Sequence, residues 1–154
     1  MDKDIKYMKE AIKEAKKAYL KNEVPIGCVI VYNDKIIGRG HNERETKQLS
    51  LAHAEIIAIK KACKKIESWR LEDSTIYITL EPCSMCGGAI IQSRIKRVVY
   101  GAKDYRFGVH QSIMNLFDVP FNHKVSVTTS VLEDECSKLI SDFFKELREN
   151  KLAK

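Results

Sequence analysis

The alternation of amphipathic helices with short β-branched strands is the sequence feature that most restricts how this chain can fold. Apolar residues at steps of three and four, among lysines and glutamates, predict a helix over residues 4–21. The apolar run at 26–32, followed by Asn33-Asp34, predicts a β-hairpin with a second strand at 35–38. Further helices are predicted at 52–66, 83–93 and 133–149, and further strands at 75–80, 97–102 and 125–131. This order predicts one α/β domain over residues 1–154, a three-layer α/β/α sandwich around a central mixed five-stranded sheet.

The length and composition fit one folded domain with no membrane segment. The chain has 154 residues, a typical size for one domain. Its apolar stretches are far shorter than the roughly 18 residues that a membrane-spanning helix needs, and its charged first residues lack the apolar segment of a secretory signal. We therefore expect a cytoplasmic protein without a membrane partner. The net charge of +6 permits a polyanionic partner without requiring one.

The cysteines and one histidine predict a metal site. Five cysteines, an odd number without an export signal, favour reduced thiols over a disulfide framework. Cys83 and Cys86 begin a predicted helix and face the same way, and the helix dipole favours their thiolates. His53 begins another helix. If adjacent parallel strands feed both helices, these three side chains meet and can hold one zinc ion, with the fourth position left for water. Glu55, at the same helix end as His53, is then the candidate for moving protons.

Two other interpretations of these residues stay open at this point. Two cysteines separated by two residues, in a strand-then-helix context, are also typical of thiol redox pairs. A fourth protein ligand would make the zinc site structural, although no candidate stands at a ligand-like spacing from the other three. The candidates for that fourth ligand are His41, His110, His123, Cys28, Cys63 and Cys136.

Taken together, His53-Ala54-Glu55 and Pro82-Cys83-Ser84-Met85-Cys86 resemble the signature of zinc-dependent nucleobase deaminases. Within that group the chain resembles the bacterial tRNA adenosine deaminases of the cytidine deaminase superfamily, over roughly residues 4–149. Other matching segments are Val24-Pro25-Ile26-Gly27, Gly40-His41-Asn42, Thr79-Leu80-Glu81, Ser93-Arg94-Ile95, Tyr100-Gly101-Ala102-Lys103-Asp104 and Ser141-Asp142-Phe143-Phe144.

The resemblance implies a reaction and a set of site residues. It implies hydrolytic deamination of adenosine to inosine at the wobble position of tRNA, with release of ammonia and with an arginine tRNA carrying an ACG anticodon as the substrate. His53, Cys83 and Cys86 would bind one zinc ion per subunit, and Glu55 would protonate the ring nitrogen and then the departing ammonia. The flipped base would be surrounded by Asn42, the Ala54 backbone, Ile26 and Leu80. Asp104 would lie beside the nucleotide backbone.

The resemblance also implies a tRNA anticodon stem-loop as partner and a homodimer as the assembly. At helical spacing the Phe143-Phe144 pair is expected in the core, and the alternative is that one of the two rings faces outward and stacks on an RNA base. One local departure stands out, because Val109-His110-Gln111 are bulkier than the small residues expected in that loop. The implied RNA contacts are Arg94, Lys103, Arg106, Phe144 and Arg148, together with Lys96, Arg97 and Lys151.

Three competing functions make different predictions. A guanine deaminase acting on the free base shares both motifs, but the Ser141–Lys145 and Gly101–Asp104 segments favour the RNA enzyme. A zinc-stabilised RNA-binding module without activity would need no acid beside the metal, so Glu55 is evidence against it. A thiol redox protein would keep its activity after loss of His53 and would not carry one zinc ion per chain.

Overall fold

The computed structural model describes residues 2–152, and within them it forms an alternating series of helices and strands. The helices are α1 (Asp2–Leu20), α2 (Arg44–Lys47), α3 (Ala54–Ile66), α4 (Ser84–Gln92) and α5 (Glu133–Leu152). The strands are β1 (Gly27–Tyr32), β2 (Lys35–His41), β3 (Thr75–Leu80), β4 (Arg97–Ala102) and β5 (Ser126–Thr128). A 3₁₀ turn covers Leu116–Asp118. No helix in this part of the chain is both long and apolar enough to cross a membrane.

The five strands form one mixed sheet in the order β2-β1-β3-β4-β5. β1 is antiparallel to both of its neighbours, whereas β3, β4 and β5 are parallel to one another. The hairpin between β1 and β2 turns at Asn33-Asp34, where both residues have positive φ angles, as the predicted tight turn requires.

The two faces of the sheet carry separate cores. Alternate residues such as Ile30 and Ile78 pack under α3 and α4, and their neighbours Val29 and Tyr77 pack under α1 and α5. Gly40 allows α3 to lie directly on β2, since a Cβ at this position would collide with the Ala54 carbonyl oxygen. The predicted three-layer α/β/α class with a mixed five-stranded sheet is therefore confirmed.

Several local expectations differ from the structure. β2 extends to His41 because residues 36–41 pair along almost the whole of β1, and β5 covers only Ser126–Thr128 rather than 125–131. The short helix α2 lies in a polar segment that has no apolar periodicity. The expectation that adjacent parallel strands feed the two site helices is wrong, because β2 and β3 run in the same direction but β1 lies between them.

An ion pair between the buried Asp4 carboxylate and the half-buried Arg97 side chain connects the first helix to the sheet. Both carboxylate oxygens of Asp4 accept hydrogen bonds from the Arg97 guanidinium, at 2.9 and 2.6 Å, and the Tyr77 hydroxyl donates to the same carboxylate at 2.9 Å. The Arg97 hydrogen bonds lower the pKa of Asp4 and outweigh the opposing effect of burial. Arg97, which lies in a basic stretch of the sequence, thus has a structural partner within the fold, and its contact with RNA stays a prediction.

Asp4→Asn is expected to lower the free energy of unfolding at pH 7 by about 2 to 3 kcal/mol, because Arg97 loses its charged partner. The pKa of Asp4 is lower in the folded than in the unfolded chain, so its contribution is present above the ordinary value of 3.8 and is lost as the pH falls through the lower folded value. Urea unfolding at several pH values measures both effects. Asp34→Asn, which changes an exposed carboxylate paired with Lys3, is the control and should stay within about 0.5 kcal/mol of the wild type.

Candidate active site

The predicted metal-binding side chains converge at one end of the sheet. His53 and Cys83 are the N-cap residues of α3 and α4, both with extended backbone, and Cys86 lies in the first turn of α4. The Nδ1 atom of His53 is 3.6 Å from the Sγ of Cys83 and 3.5 Å from the Sγ of Cys86. One ligand atom from each residue lies within 4.8 Å of the others. The three side chains are therefore placed so that one ion can contact all of them.

The electrostatics of this cluster favour an anion at Cys83. A hydrogen bond from the Cys86 thiol, followed by the interaction with His53, lowers the pKa of Cys83 to about 4. The hydrogen bond with Cys83 in turn raises the pKa of His53. The N-terminus of α4 adds the positive end of its dipole beside Cys83. The cluster thus holds one thiolate, which is the form in which cysteine binds a metal.

Glu55 is buried directly beside the cluster. It is the second residue of α3, only 4% exposed, and its side chain interacts with Cys86. Burial is the main cause that raises the pKa of Glu55 to about 7, and the Cys83 thiolate adds to it. A carboxyl group in such surroundings can both accept and donate a proton near neutral pH.

The suggested fourth ligands lie elsewhere. Within residues 2–150, whose side chains the structure describes, only His53, Cys83 and Cys86 form a metal-sized cluster of this kind. The three histidines have other partners: His41 contacts Glu14, His110 contacts the Tyr100 hydroxyl, and His123 contacts the Ile95 carbonyl. The three cysteines belong to the cores, with Cys28 and Cys136 buried in one core each and Cys63 at the edge of the α3–α4 core. A three-ligand arrangement with an open position is typical of catalytic zinc.

The residues expected around the base occupy different surroundings. Asn42 is buried at the end of β2, where its side-chain amide donates to the Val24 carbonyl and accepts from the Arg44 amide. Ala54 is fully buried at the start of α3, and Ile26 is half-buried against the α3–α4 core. Leu80 packs instead against the core under α1 and α5. Base contact by these residues stays a prediction.

The residues expected at the RNA are distributed over three elements. Lys103 and Arg106 are exposed around Asp104, whose carboxylate accepts hydrogen bonds from the Arg106 and Phe107 amides rather than from a basic side chain. Arg94 donates to the Ile91 and Gln92 carbonyls and lies over the Trp69 ring, so much of its hydrogen-bonding capacity serves the end of α4.

On α5, Phe143 is buried and Phe144 is 39% exposed, so the core placement is confirmed for Phe143 and is wrong for Phe144, which has the alternative outward position. Arg148 is exposed, and so is Lys96, which directly precedes β4. The side chain of Lys151 lies outside the described residues. Contact of any of these side chains with RNA stays a prediction.

Of the three bulky residues after Gly108, Val109 is buried, His110 is half-buried and Gln111 is exposed. Val109 is 3% exposed, and the His110 ring lies 2.8 Å from the Tyr100 hydroxyl through its Nδ1. The departure from the expected small residues is thus accommodated by contact of His110 with Tyr100 in β4, by packing of Val109 beside Gly87 in α4, and by exposure of Gln111. Glu81, by contrast, is a buried acid next to the site for which the sequence analysis gave no role, and its only sequence signal is a charge at the end of an apolar strand.

Similarity to known proteins shows the family of this chain. The model of the MafB19-like deaminase family matches residues 1–148. The tRNA-specific adenosine deaminase of Bacillus subtilis is 54% identical over 99% of this chain and 96% of its own length. The chain belongs to the tRNA-specific adenosine deaminase family. The resemblance predicted from the sequence motifs is confirmed, and the protein is an enzyme of the deaminase class.

Solved structures extend the comparison. A structure from a study of A-to-I editing by tRNA:A34 deaminases at the wobble position of transfer RNA matches this deaminase with a TM-score of 0.83 and 38% identity, covering 86% of this chain and 96% of the other. A guanine deaminase from Nitrosomonas europaea has a TM-score of 0.78 at 23% identity, covering 88% of this chain and 81% of the other. At that identity the second match concerns the fold alone.

Proposed function

We propose that this deaminase converts adenosine to inosine at the wobble position of tRNA, with an arginine tRNA carrying an ACG anticodon as its substrate. One molecule of water is consumed and ammonia is released. The observation that carries this proposal is the cluster of His53, Cys83 and Cys86 with the buried Glu55 beside it. The name of the B. subtilis relative supports tRNA as the class of substrate.

We infer that His53, Cys83 and Cys86 hold one zinc ion in each chain. One imidazole nitrogen and two sulfurs are donors that zinc prefers, and the low pKa of Cys83 fits this ion because zinc binds the thiolate. When bound, zinc supplies Lewis acidity and makes water reactive near neutral pH. The donor set thus supports the metal that the resemblance implies.

The Glu55 carboxyl is proposed to move the protons of the reaction. It would take a proton from the attacking water and deliver it to N1 of the adenine ring. It would then take the proton of the new C6 hydroxyl group and deliver it to the amino group, which leaves as ammonia. Its position within the first turn of α3, beside Cys86, supports this role because a proton carrier must lie within hydrogen-bond reach of the reacting atoms. Its burial limits exchange of these protons with bulk water.

The substrate contacts follow the same proposal. Asn42, the Ala54 backbone, Ile26 and Leu80 would surround the flipped adenine, and Asp104 would lie beside its nucleotide backbone. The phosphates of the anticodon stem-loop would be contacted by the exposed cations Lys103, Arg106 and Arg148, with a further contact from Arg94. The exposed Phe144 ring would stack on a base.

We also propose that the protein is a homodimer. A tRNA substrate implies a cytoplasmic location.

Inosine formation in unmodified tRNA transcripts tests the proposal directly. The zinc-loaded protein should convert the wobble adenosine of the arginine tRNA transcript, as measured by nuclease digestion and chromatography, and should leave free adenosine, guanine and cytidine unchanged. A transcript with guanosine at the wobble position is the matched control. Conversion of free guanine with no change in the tRNA would reject this function, as would unchanged tRNA under conditions where the protein binds it.

A further inference from the structure

The Glu81 carboxylate is buried under a loop that follows β4. Glu81 comes directly after the last residue of β3, is only 2% exposed, and lies two residues before Cys83. Its backbone amide donates to the Ala102 carbonyl at 2.8 Å, so its position is fixed at the ends of two strands. A carboxylate in such a position needs donors for its oxygens, since burying a charge without them is costly.

The donors all come from the loop of residues 104–112, here called the 104–112 loop. The Oε1 atom of Glu81 accepts from the Asp104 amide at 3.1 Å and from the Ser112 hydroxyl at 2.6 Å. Its Oε2 atom accepts from three consecutive amides, those of His110, Gln111 and Ser112, at 2.9, 3.1 and 3.3 Å. Successive amides that converge on one anion form a concave binding site, occupied here by the protein's own carboxylate.

Two further contacts hold this loop against the segment that leads into α4. The Val109 amide donates to the Pro82 carbonyl at 3.0 Å, immediately before Cys83. Gly108 passes directly over the carboxylate, and a Cβ at this position would collide with the Glu81 carboxyl group. The glycine therefore allows the close approach on which the five hydrogen bonds depend.

The other end of the loop presents residues to solvent. Asp104 accepts from the Arg106 and Phe107 amides and so shapes the tip of the loop. Tyr105 and Phe107, on either side of the exposed Arg106, are 76% and 68% exposed. The tip thus combines one cation with two aromatic rings, which are the side chains that bind phosphates and unstacked bases.

We propose that Glu81 is a positioning residue, which holds the 104–112 loop at a fixed place relative to Cys83 and thereby sets where the loop tip meets the RNA. This inference rests on the proposed tRNA function. Glu81 makes no contact with substrate in this scheme; it acts through Asp104 and the tip. Loosening the loop should therefore weaken productive RNA binding while the metal ligands and Glu55 keep their places.

Glu81→Gln and Gly108→Ala test the proposal from opposite sides of the contact. In Glu81→Gln, the side-chain oxygen can still accept hydrogen bonds from the amides of residues 110–112. The NH₂ group then faces the Asp104 amide, and because both groups are donors, the hydrogen bond to that end of the loop is lost. Gly108→Ala displaces the loop without changing Glu81 or its charge. Gly88→Ala in α4, where a Cβ would meet no atom within 4 Å, is the matched glycine control.

The rate of tryptic cleavage after Lys103 and Arg106 measures how often the loop opens, independently of enzymatic activity. We expect both variants to be cut about tenfold faster than the wild type or the Gly88→Ala control, with zinc content unchanged. For tRNA deamination we expect KM to rise about tenfold, with kcat changed by no more than about threefold. Faster cleavage with an unchanged KM, or loss of zinc together with kcat, would overturn the proposal.

Ser112→Ala keeps the inference testable if Glu81→Gln does not fold, because it removes one hydroxyl donor and leaves the charge and the amides in place. It should give a smaller rise in both cleavage rate and KM, and no rise in either would count against the proposal. A wild-type protein that neither binds nor deaminates tRNA would reject the proposed function and this inference with it. An active wild type with unaffected variants would reject the inference alone.

Discussion

Glu55→Gln is expected to lower the rate of tRNA deamination by about 10³- to 10⁴-fold, the upper range for loss of a positioned proton carrier. Glutamine has nearly the same size and fits the same buried place, so the change removes the exchangeable carboxyl proton and little else. Zinc content and tRNA affinity should therefore remain at the wild-type level. Single-turnover kinetics with excess enzyme measure the chemical step separately from product release.

Glu72→Gln is the matched control for this substitution, since Glu72 is an exposed carboxylate that pairs with Arg70. Its deamination rate should equal that of the wild type. A Glu55→Gln protein that retained more than a tenth of the wild-type rate would contradict the assigned role. A variant that lost zinc as well as activity would show that Glu55 supports the metal rather than the proton transfers.

Cys86→Ala is expected to remove both bound zinc and activity. Two remaining ligands, His53 and Cys83, leave the ion without the third protein donor that catalytic zinc sites have. We expect zinc well below one ion per chain after dialysis, deamination lowered by about 10³-fold or more, and a lower melting temperature, because the bound metal no longer adds its free energy to the folded state. Metal analysis and thermal unfolding on the same sample measure these effects.

Cys63→Ala is the control for a cysteine outside the cluster. Cys63 is half-buried at the end of α3, so its substitution should retain zinc and activity. Activity in a zinc-free Cys86→Ala protein would contradict the metal site. Activity that disappears in Cys86→Ala but survives in a His53→Ala variant would favour the redox interpretation of the cysteine pair.

Much of the fold and of the candidate site follows from local patterns. The apolar periodicity of α1 and the Asn33-Asp34 turn involve residues close together in the sequence, and the structure places both within a few residues of the predictions. The spacing of Cys83 and Cys86 likewise determines that both lie in one helical turn. Such patterns are visible in a single sequence because their cause lies within one turn of helix or one hairpin.

The differences arise where distant segments meet. The separation of β2 from β3 by β1 is a property of strand order, which no local periodicity encodes. Arg97 is bound by Asp4, 93 residues earlier in the sequence, a contact that its basic neighbourhood does not indicate. Glu81 binds amides 23 to 31 residues away, and the sequence shows only that an acid ends an apolar strand.

The place of β1 between β2 and β3 has a consequence for the order in which the chain folds. The hairpin of β1 and β2 needs only neighbouring residues, whereas β3 joins β1 by pairs such as Cys28 with Ile78, fifty positions apart. Contacts across such a separation carry the larger loop-closure entropy and form more slowly. His53 follows the hairpin and Cys83 follows β3, so the three side chains of the candidate metal site come together only when β3 has joined β1. We therefore expect a metal held by His53, Cys83 and Cys86 to bind only after β1 and β3 have paired.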